Sequence, residues 1–257
     1  MKLSNKLLKY FQEQLPTKVL AIYLSGSRLN DLADENSDTD YYVVTEPEFD
    51  SLIFNQRKGK QNHGEIDFKQ VDLFQFVNSI YKSNPNVLEL FYKEPLYTDE
   101  LFTMMAGFLH KNRDDLLKLN PDHWQKACMG QMKHSYLNIK KNQGATAQGH
   151  IGKDVVQFMK SFVYLEASKE ENSLSKVIDL NEATDGMALV MKKSTVLSDE
   201  GSAKMVTFLE DRMNEAQEFV TAGEVVNSEL LEMLMDVTKR TYTMVCVSEL
   251  SGLKVVE

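Results

Sequence analysis

The spacing of apolar positions changes character near residue 95 of this chain. Before that point, apolar residues come in short runs separated by polar loops. Val19-Leu-Ala-Ile-Tyr-Leu24 ends at Ser25-Gly26-Ser27 and reads as a buried strand feeding a glycine turn. After the polar stretch 34–39, Asp40-Tyr-Tyr-Val-Val-Thr45 reads as a second strand. A third, over 64–71, alternates at Glu65, Ile66, Asp67 and Phe68, which sets Glu65 and Asp67 on one face. Asp72 with Gln75 three residues on is a capping-box pair that opens a helix, and Asn84-Pro85-Asn86 closes it and starts another over 86–92. From about residue 96 the strand signals stop. Helical periodicity runs over 99–110, 122–142, 151–168, 200–220 and 227–247, with Asp122 and Gln125 repeating the capping-box pattern. The expected fold class is α+β: a small mixed β-sheet core with flanking helices over 1–98, followed by an all-helical C-terminal unit over 99–257.

Composition narrows the class further. The 257 residues are 42% apolar and 26% charged, with only 12 Gly and 5 Pro, which excludes collagen-like, low-complexity and wholly disordered chains. Gln12, Glu13 and Gln14 interrupt the amphipathic N-terminus where an export signal needs an unbroken apolar stretch. No run of eighteen apolar residues is free of charge, so no membrane span is expected. Two cysteines, Cys128 and Cys246, cannot build a disulfide framework, so the expected location is a reducing one, the cytoplasm. The net charge of −9 is uneven: residues 111–160 carry 9 Lys and Arg against 4 Asp and Glu, a basic island in an acidic chain.

The stretch that carries chemistry runs from Leu24 to Asp40. A Gly26-Ser27 pair between a strand and a helix places backbone N–H groups and a hydroxyl where anionic phosphate oxygens are welcome. Asp38 and Asp40 stand two apart at the start of the next strand, which points both carboxylates to one face. Side-by-side carboxylates are costly unless a cation neutralises them, and their oxygens suit Mg²⁺ or Mn²⁺. Asp67 would complete a three-carboxylate site, with Glu65 on the same face as its competitor. There is no Gly-x-x-x-x-Gly-Lys-Ser/Thr loop and no Gly-x-Gly-x-x-Gly, and the five His show no metal-ligand spacing.

Gly-Ser, Asp-x-Asp and a later strand Asp together resemble the signature of the DNA polymerase β-like nucleotidyltransferase superfamily. Gly26-Ser27-Arg28, Ser37-Asp38-Thr39-Asp40-Tyr41, Asp67 and Asn84-Pro85-Asn86-Val87-Leu88-Glu89-Leu90 are similar to the branch predicted to act in RNA repair, common in phages and bacteria. That resemblance implies a nucleotidyltransferase core over 1–98 and metal-dependent transfer of NMP from an NTP to an acceptor hydroxyl, with release of pyrophosphate. It implies two Mg²⁺ or Mn²⁺ ions on Asp38, Asp40 and Asp67, and pyrophosphate leaving toward Gly26, Ser27 and Arg28. The branch carries Lys, His and Arg at i, i+4 and i+7 of a later helix. Here Lys153, Gln157 and Lys160 take those places, so Lys153 and Lys160 become nucleotide-binding candidates while Gln157 cannot do the acid–base work of a histidine. The residues leave the acceptor open among an RNA 3′ end, which the branch and the basic island favour, a protein side chain and a small molecule. They also leave open a catalytically silent binding protein, of use in phage–host conflict, although all three carboxylates are retained.

Other features have plainer readings beside these. On the helix 151–168, Ile151, Val155, Met159 and Phe162 form a buried stripe; Lys153, Gln157, Lys160 and Tyr164 form another, either a solvated face or triphosphate contacts. Glu89 is a structural partner or supports the site from behind. Lys126, Lys133 and Lys140 recur every seven residues, as a solvated face or a nucleic-acid track. The abundant Met of the helical half, among them Met205, Met213, Met233 and Met235, reads as core filler.

Overall fold

Two adjacent strands form where the apolar runs predict them: β1 (Val19–Ser25) and β2 (Asp40–Thr45), antiparallel, with Ser25 opposite Asp40. The structure, a computed structural model, describes residues 3–33, 35, 37–47, 61–63, 66–141, 151–168, 178–179, 184, 199–218 and 226–252. Beside β2 lies β4 (Asp67–Asp72), parallel to it and in register, so that Asp40 is opposite Asp67. β3 (Gln61–His63) adds an antiparallel edge to β4, and β5 (Tyr97–Thr98) an antiparallel edge to β1. The order is β3-β4-β2-β1-β5, a mixed sheet as expected. β5 lies beyond the point where strand signals end in the sequence; two residues are too few to show a period. Glu65, the competitor of Asp67, falls outside the described residues, so the alternation expected from residue 64 is seen only from Asp67 on.

Alternation along the strands gives the sheet two apolar faces. Val19, Ile22, Tyr41, Val43 and Phe68 turn to helix α1 (Leu3–Gln14), which covers them with Leu7, Phe11 and Leu15. Phe11 meets Tyr41 and Phe68 edge-to-face, at ring separations of 5.9 and 5.0 Å. Leu20, Tyr23, Tyr42, Val44 and Val71 face the other way, into a core that continues without a break to the C-terminal helices. By parity, Ser25, Asp40, Asp67 and Lys69 lie on that second, helix-covered face.

After the four-residue turn α2 (Gly26–Leu29), the helices follow the sequence reading closely. α3 (Leu73–Tyr81) begins on the predicted capping box: Asp72 Oδ1 accepts from the Gln75 N–H at 2.7 Å, and Gln75 Oε1 from the Asp72 N–H at 3.2 Å. Asn84 caps α4 (Pro85–Leu88), with proline at its first position, and a 3-10 turn (Glu89–Tyr92) continues it. The helix expected over 99–110 arrives as a 3-10 turn (Glu100–Phe102) and α5 (Thr103–Lys111), followed by the short α6 (Arg113–Leu117). α7 (Pro121–Lys141) and α8 (Ile151–Ala167) make the most extensive helix pairing among the described residues. The capping of α7 differs from expectation. Asn120 Oδ1 accepts from the His123 N–H at 3.2 Å, whereas Asp122 pairs with Lys126 and Gln125 is buried. Asn120 ahead of Pro121 is the better start, since proline surrenders no N–H the helix needs.

α9 (Asp199–Glu218) packs on α7 and α8, and α10 (Ser228–Gly252) on α5. Met205 is core as expected, but Met233 and Met235 are exposed on α10, so these two are not core filler. Cys128 is buried, and burial pushes its thiol pKa well up. Among the described residues no helix is long and apolar enough to cross a membrane.

Candidate active site

Three strands set one row of side chains. Ser25 on β1, Asp40 on β2 and Asp67 on β4 are register partners, at the strand ends next to the glycine turn. Gly26 is in the left-handed region at φ +66, and a Cβ there would overlap Oδ2 of Asp40 and lie 3.0 Å from its Cγ. The glycine is required twice over, by its backbone conformation and by the carboxylate seated on it. A cleft of about 330 Å³ opens above this row, lined by Ser25, Gly26, Asp40, Tyr42, Asp67 and Lys69 from the sheet, by Asn86 and Glu89, and by Gln157 and Lys160 of α8. Residues of the sheet and of α8 thus line one cleft.

The predicted residues divide into those the cleft collects and those it does not. Asp40, Asp67, Gly26 and Lys160 line it. Asp38 is exposed and does not: β2 starts at Asp40, so the strand geometry that would align Asp38 with it is missing. Ser27 is outside the lining, its carbonyl accepting from the Leu32 N–H at 2.8 Å. Arg28 donates from Nη2 to the Ser37 carbonyl at 2.8 Å and so ties α2 to the segment that leads into Asp38 and Asp40. Lys153 is exposed at the start of α8, one helical turn short of the residues that reach the cleft.

Lys160 overturns the solvated-face reading of its stripe. Its side chain is 7% exposed, and Nζ lies 2.6 Å from Oε2 of Glu89, itself 3% exposed. Nζ also donates to Asn86 Oδ1 at 3.2 Å and sits over the Tyr164 ring at 5.6 Å. The Tyr164 hydroxyl faces Glu89 Oε2 at 2.8 Å and Asn30 Oδ1 at 3.2 Å, and Asn30 Nδ2 donates to the Gly26 carbonyl at 3.4 Å. A polar chain therefore runs from α8 through Glu89, Tyr164 and Asn30 to the glycine turn beneath Asp40. Burial first, and the Glu89 charge second, hold the Tyr164 phenol well above its usual pKa, so it stays protonated and serves as a donor. Gln157 donates to Gln131 Oε1 on α7 at 2.9 Å, and the Ser161 hydroxyl to the same oxygen at 3.0 Å.

Sequence reasoning passed over Lys69, a cleft-lining cation over the Tyr42 ring at 5.5 Å. The signal was available, because Lys69 is two residues after Asp67 on the same strand and so on the same face. Ser25 and Asn86 were also missed as lining residues. The donor set fits a hard cation, with carboxylate oxygens of Asp40 and Asp67 on neighbouring strands and the Ser25 hydroxyl beside them. It is a two-carboxylate set: among the described residues no three His, Cys, Asp or Glu side chains converge as metal ligands.

Residues 4–102 match the family model described as "Nucleotidyltransferase domain". The match spans α1 through the 3-10 turn after β5 and includes Gly26, Asp40, Asp67, Lys69, Asn86 and Glu89. Over that segment, somewhat less than half of its length, the chain is similar to nucleotidyltransferase domains. One solved structure similar to this chain is a nucleotidyltransferase-like protein from Exiguobacterium sibiricum 255-15, 11% identical, with a TM-score of 0.30, covering 93% of this chain and 89% of that one. No curated protein matches.

Proposed function

We propose that this protein transfers NMP from an NTP to an acceptor hydroxyl in the cleft above Ser25, Asp40 and Asp67. The observation that carries the reading is Asp40 and Asp67 held side by side by strand register in a cleft entered by the glycine turn, within the segment that matches a nucleotidyltransferase domain. Asp40 and Asp67 would hold a divalent cation, Mg²⁺ or Mn²⁺. Such a cation neutralises triphosphate charge and lowers the pKa of an acceptor hydroxyl when bound.

In the reaction a bond forms between the acceptor oxygen and the α-phosphorus, and the bond from that phosphorus to the bridging oxygen breaks. Pyrophosphate takes the electron pair, and the hydroxyl proton passes to water. The chain's own residues position and neutralise. Gly26 lets the triphosphate approach the backbone, since no side chain stands there. Lys69 supplies positive charge from the sheet, against the negative charge that builds on the departing pyrophosphate. Lys160 is committed to Glu89, so it acts through the polar chain that fixes the glycine turn rather than as a free cation.

An RNA 3′ end, as in RNA repair, is the acceptor this reading favours, supported by the basic island over 111–160, six of whose nine Lys and Arg lie on α7 and on α8, the helix that lines the cleft. Incubation with each α-labelled NTP, Mg²⁺ or Mn²⁺, and total tRNA or cell lysate tests the proposal. Label on RNA supports it in full, label on protein or a small molecule keeps the transfer and changes the acceptor, and no label with any NTP overturns it.

A further inference from the structure

A second groove, of about 390 Å³, adjoins the cleft and shares two of its walls, Asn86 and Gln157. Its remaining lining comes from one stripe of α7, namely Lys126, Ala127, Gly130, Gln131, His134 and Ser135. We propose that this groove is the acceptor subsite, taking the terminal nucleotide of an RNA strand so that its hydroxyl reaches past Asn86 and Gln157 into the cleft. The proposal rests on the nucleotidyl-transfer reading above and adds where the acceptor sits.

Three observations point to a phosphate-bearing, hydrogen-bonding ligand. First, among the described residues the lining holds a lysine and a histidine but no carboxylate, and no apolar side chain larger than alanine. Lys126 pairs with Asp122 at 2.6 Å, but that lysine is well exposed, and an exposed pair yields readily to an incoming phosphate. Lys133, exposed on the next turn of α7, extends the positive charge along the helix. Second, the Gln131 and Gln157 amides are joined by one bond. Gln131 Oε1 is taken by Gln157 and Ser161, and among the described residues no hydrogen bond is seen for the Gln131 amide nitrogen or for Gln157 Oε1. A donor and an acceptor side by side at the groove wall match the edge of a base or a ribose hydroxyl pair. Among the described residues no aromatic ring lines the groove, which favours recognition by edges and phosphates over stacking.

Third, Gly130 stands in mid-helix, where glycine costs stability relative to alanine. Among the described residues nothing demands it: a Cβ built there meets no atom of theirs within 4 Å. The space it leaves opens into the groove and lets a ligand approach the backbone of α7 closely. Gly107 is equally open, but neither the groove nor the cleft reaches it, so it is the groove at Gly130 that gives the missing side chain a use.

The same geometry supplies a test that keeps the protein folded. Gly130→Leu pushes a side chain into the groove from a position with room for it, and Gly130→Ala is the control; both should melt at or above the wild-type temperature. Binding of a 5′-labelled oligoribonucleotide with a free 3′ hydroxyl is followed by fluorescence anisotropy, and NTP binding by its shift of the melting temperature with Mg²⁺. The leucine variant should lose at least about tenfold in RNA affinity and the alanine variant much less, while the NTP-dependent shift stays as in wild type. Adenosine 5′-monophosphate should compete far more weakly than an unlabelled oligoribonucleotide. Wild-type RNA affinity in Gly130→Leu overturns the proposal, as does competition by the mononucleotide equal to that of the strand, which would make the groove a free-nucleotide site. Label that goes to a protein from the lysate and not to RNA also overturns it. Absence of any NTP shift or label in the wild type would instead fail the nucleotidyl-transfer reading, a distinct result.

Discussion

Lys160→Met removes one end of the Lys160–Glu89 pair and leaves the other as a lone buried charge. The side chains are 7% and 3% exposed and 2.6 Å apart, so neither is rehydrated when its partner goes. Breaking a buried pair from one side costs about 3–5 kcal/mol, far more than the roughly 0.5 kcal/mol typical of a surface lysine. At about 2–4 °C per kcal/mol for a chain of this size, the melting temperature should fall by at least about 6 °C. Tyr164 and Asn86 also lose their contact with Nζ, which adds to the loss. In the double variant Glu89→Gln/Lys160→Met no charge remains buried, and the glutamine oxygen can still accept from Tyr164. It should therefore be more stable than Lys160→Met alone. Differential scanning calorimetry of wild type, Glu89→Gln, Lys160→Met and the double variant closes the cycle. A Lys160→Met protein that melts within about 2 °C of wild type would refute the buried pair and return Lys160 to a solvated face.

Further outcomes follow from the same geometry. Gly26→Ala places a methyl against the Asp40 carboxylate at φ +66, so transfer should be lost while the rest of the fold, read by circular dichroism, survives. Lys69→Ala should raise the KM for NTP with little change in melting temperature, because the side chain is exposed and its work is on the triphosphate; an unchanged KM refutes that role. Asp72→Ala removes the carboxylate that accepts from the Gln75 N–H in the capping box and should cost about 0.5–2 kcal/mol in urea unfolding without altering transfer. Tyr164 has a raised pKa in the folded state, so the unfolded chain releases its proton first, near pH 10, and stability should fall as pH rises beyond that value. Tyr164→Phe should flatten this alkaline loss; an unchanged slope would contradict the buried phenol.

Local signals in the sequence carried most of the fold. The Asp72–Gln75 box, the apolar runs of β1 and β2 and the long helical periods are each set by neighbours within a few residues, and each stands where expected. The two-residue strand β5 is made by pairing with the distant β1 and the three-residue β3 by pairing with the neighbouring β4, and both are too short to show a period. The site was legible where spacing fixes direction, as at Asp40, Asp67 and Gly26. It was not where burial depends on what a different element brings. Lys160 looks like a surface lysine until Glu89, 71 positions earlier, meets it inside the core. Asp38 shows the converse, since the two-residue spacing to Asp40 aligns side chains only inside a strand, and the strand begins at Asp40.

The central claim is that Asp40 and Asp67, paired across β2 and β4, are where nucleotidyl transfer occurs. Release of pyrophosphate and transfer of label from α-labelled NTP, measured with Mg²⁺ for wild type, Asp40→Asn and Asp67→Asn at matched folded concentration, tests it most directly. The isosteric amides keep the side-chain shape and remove the negative charge, so both variants should fold and both should lose transfer by at least about a hundredfold. Transfer in either variant within a few-fold of wild type would contradict the assignment of the cleft.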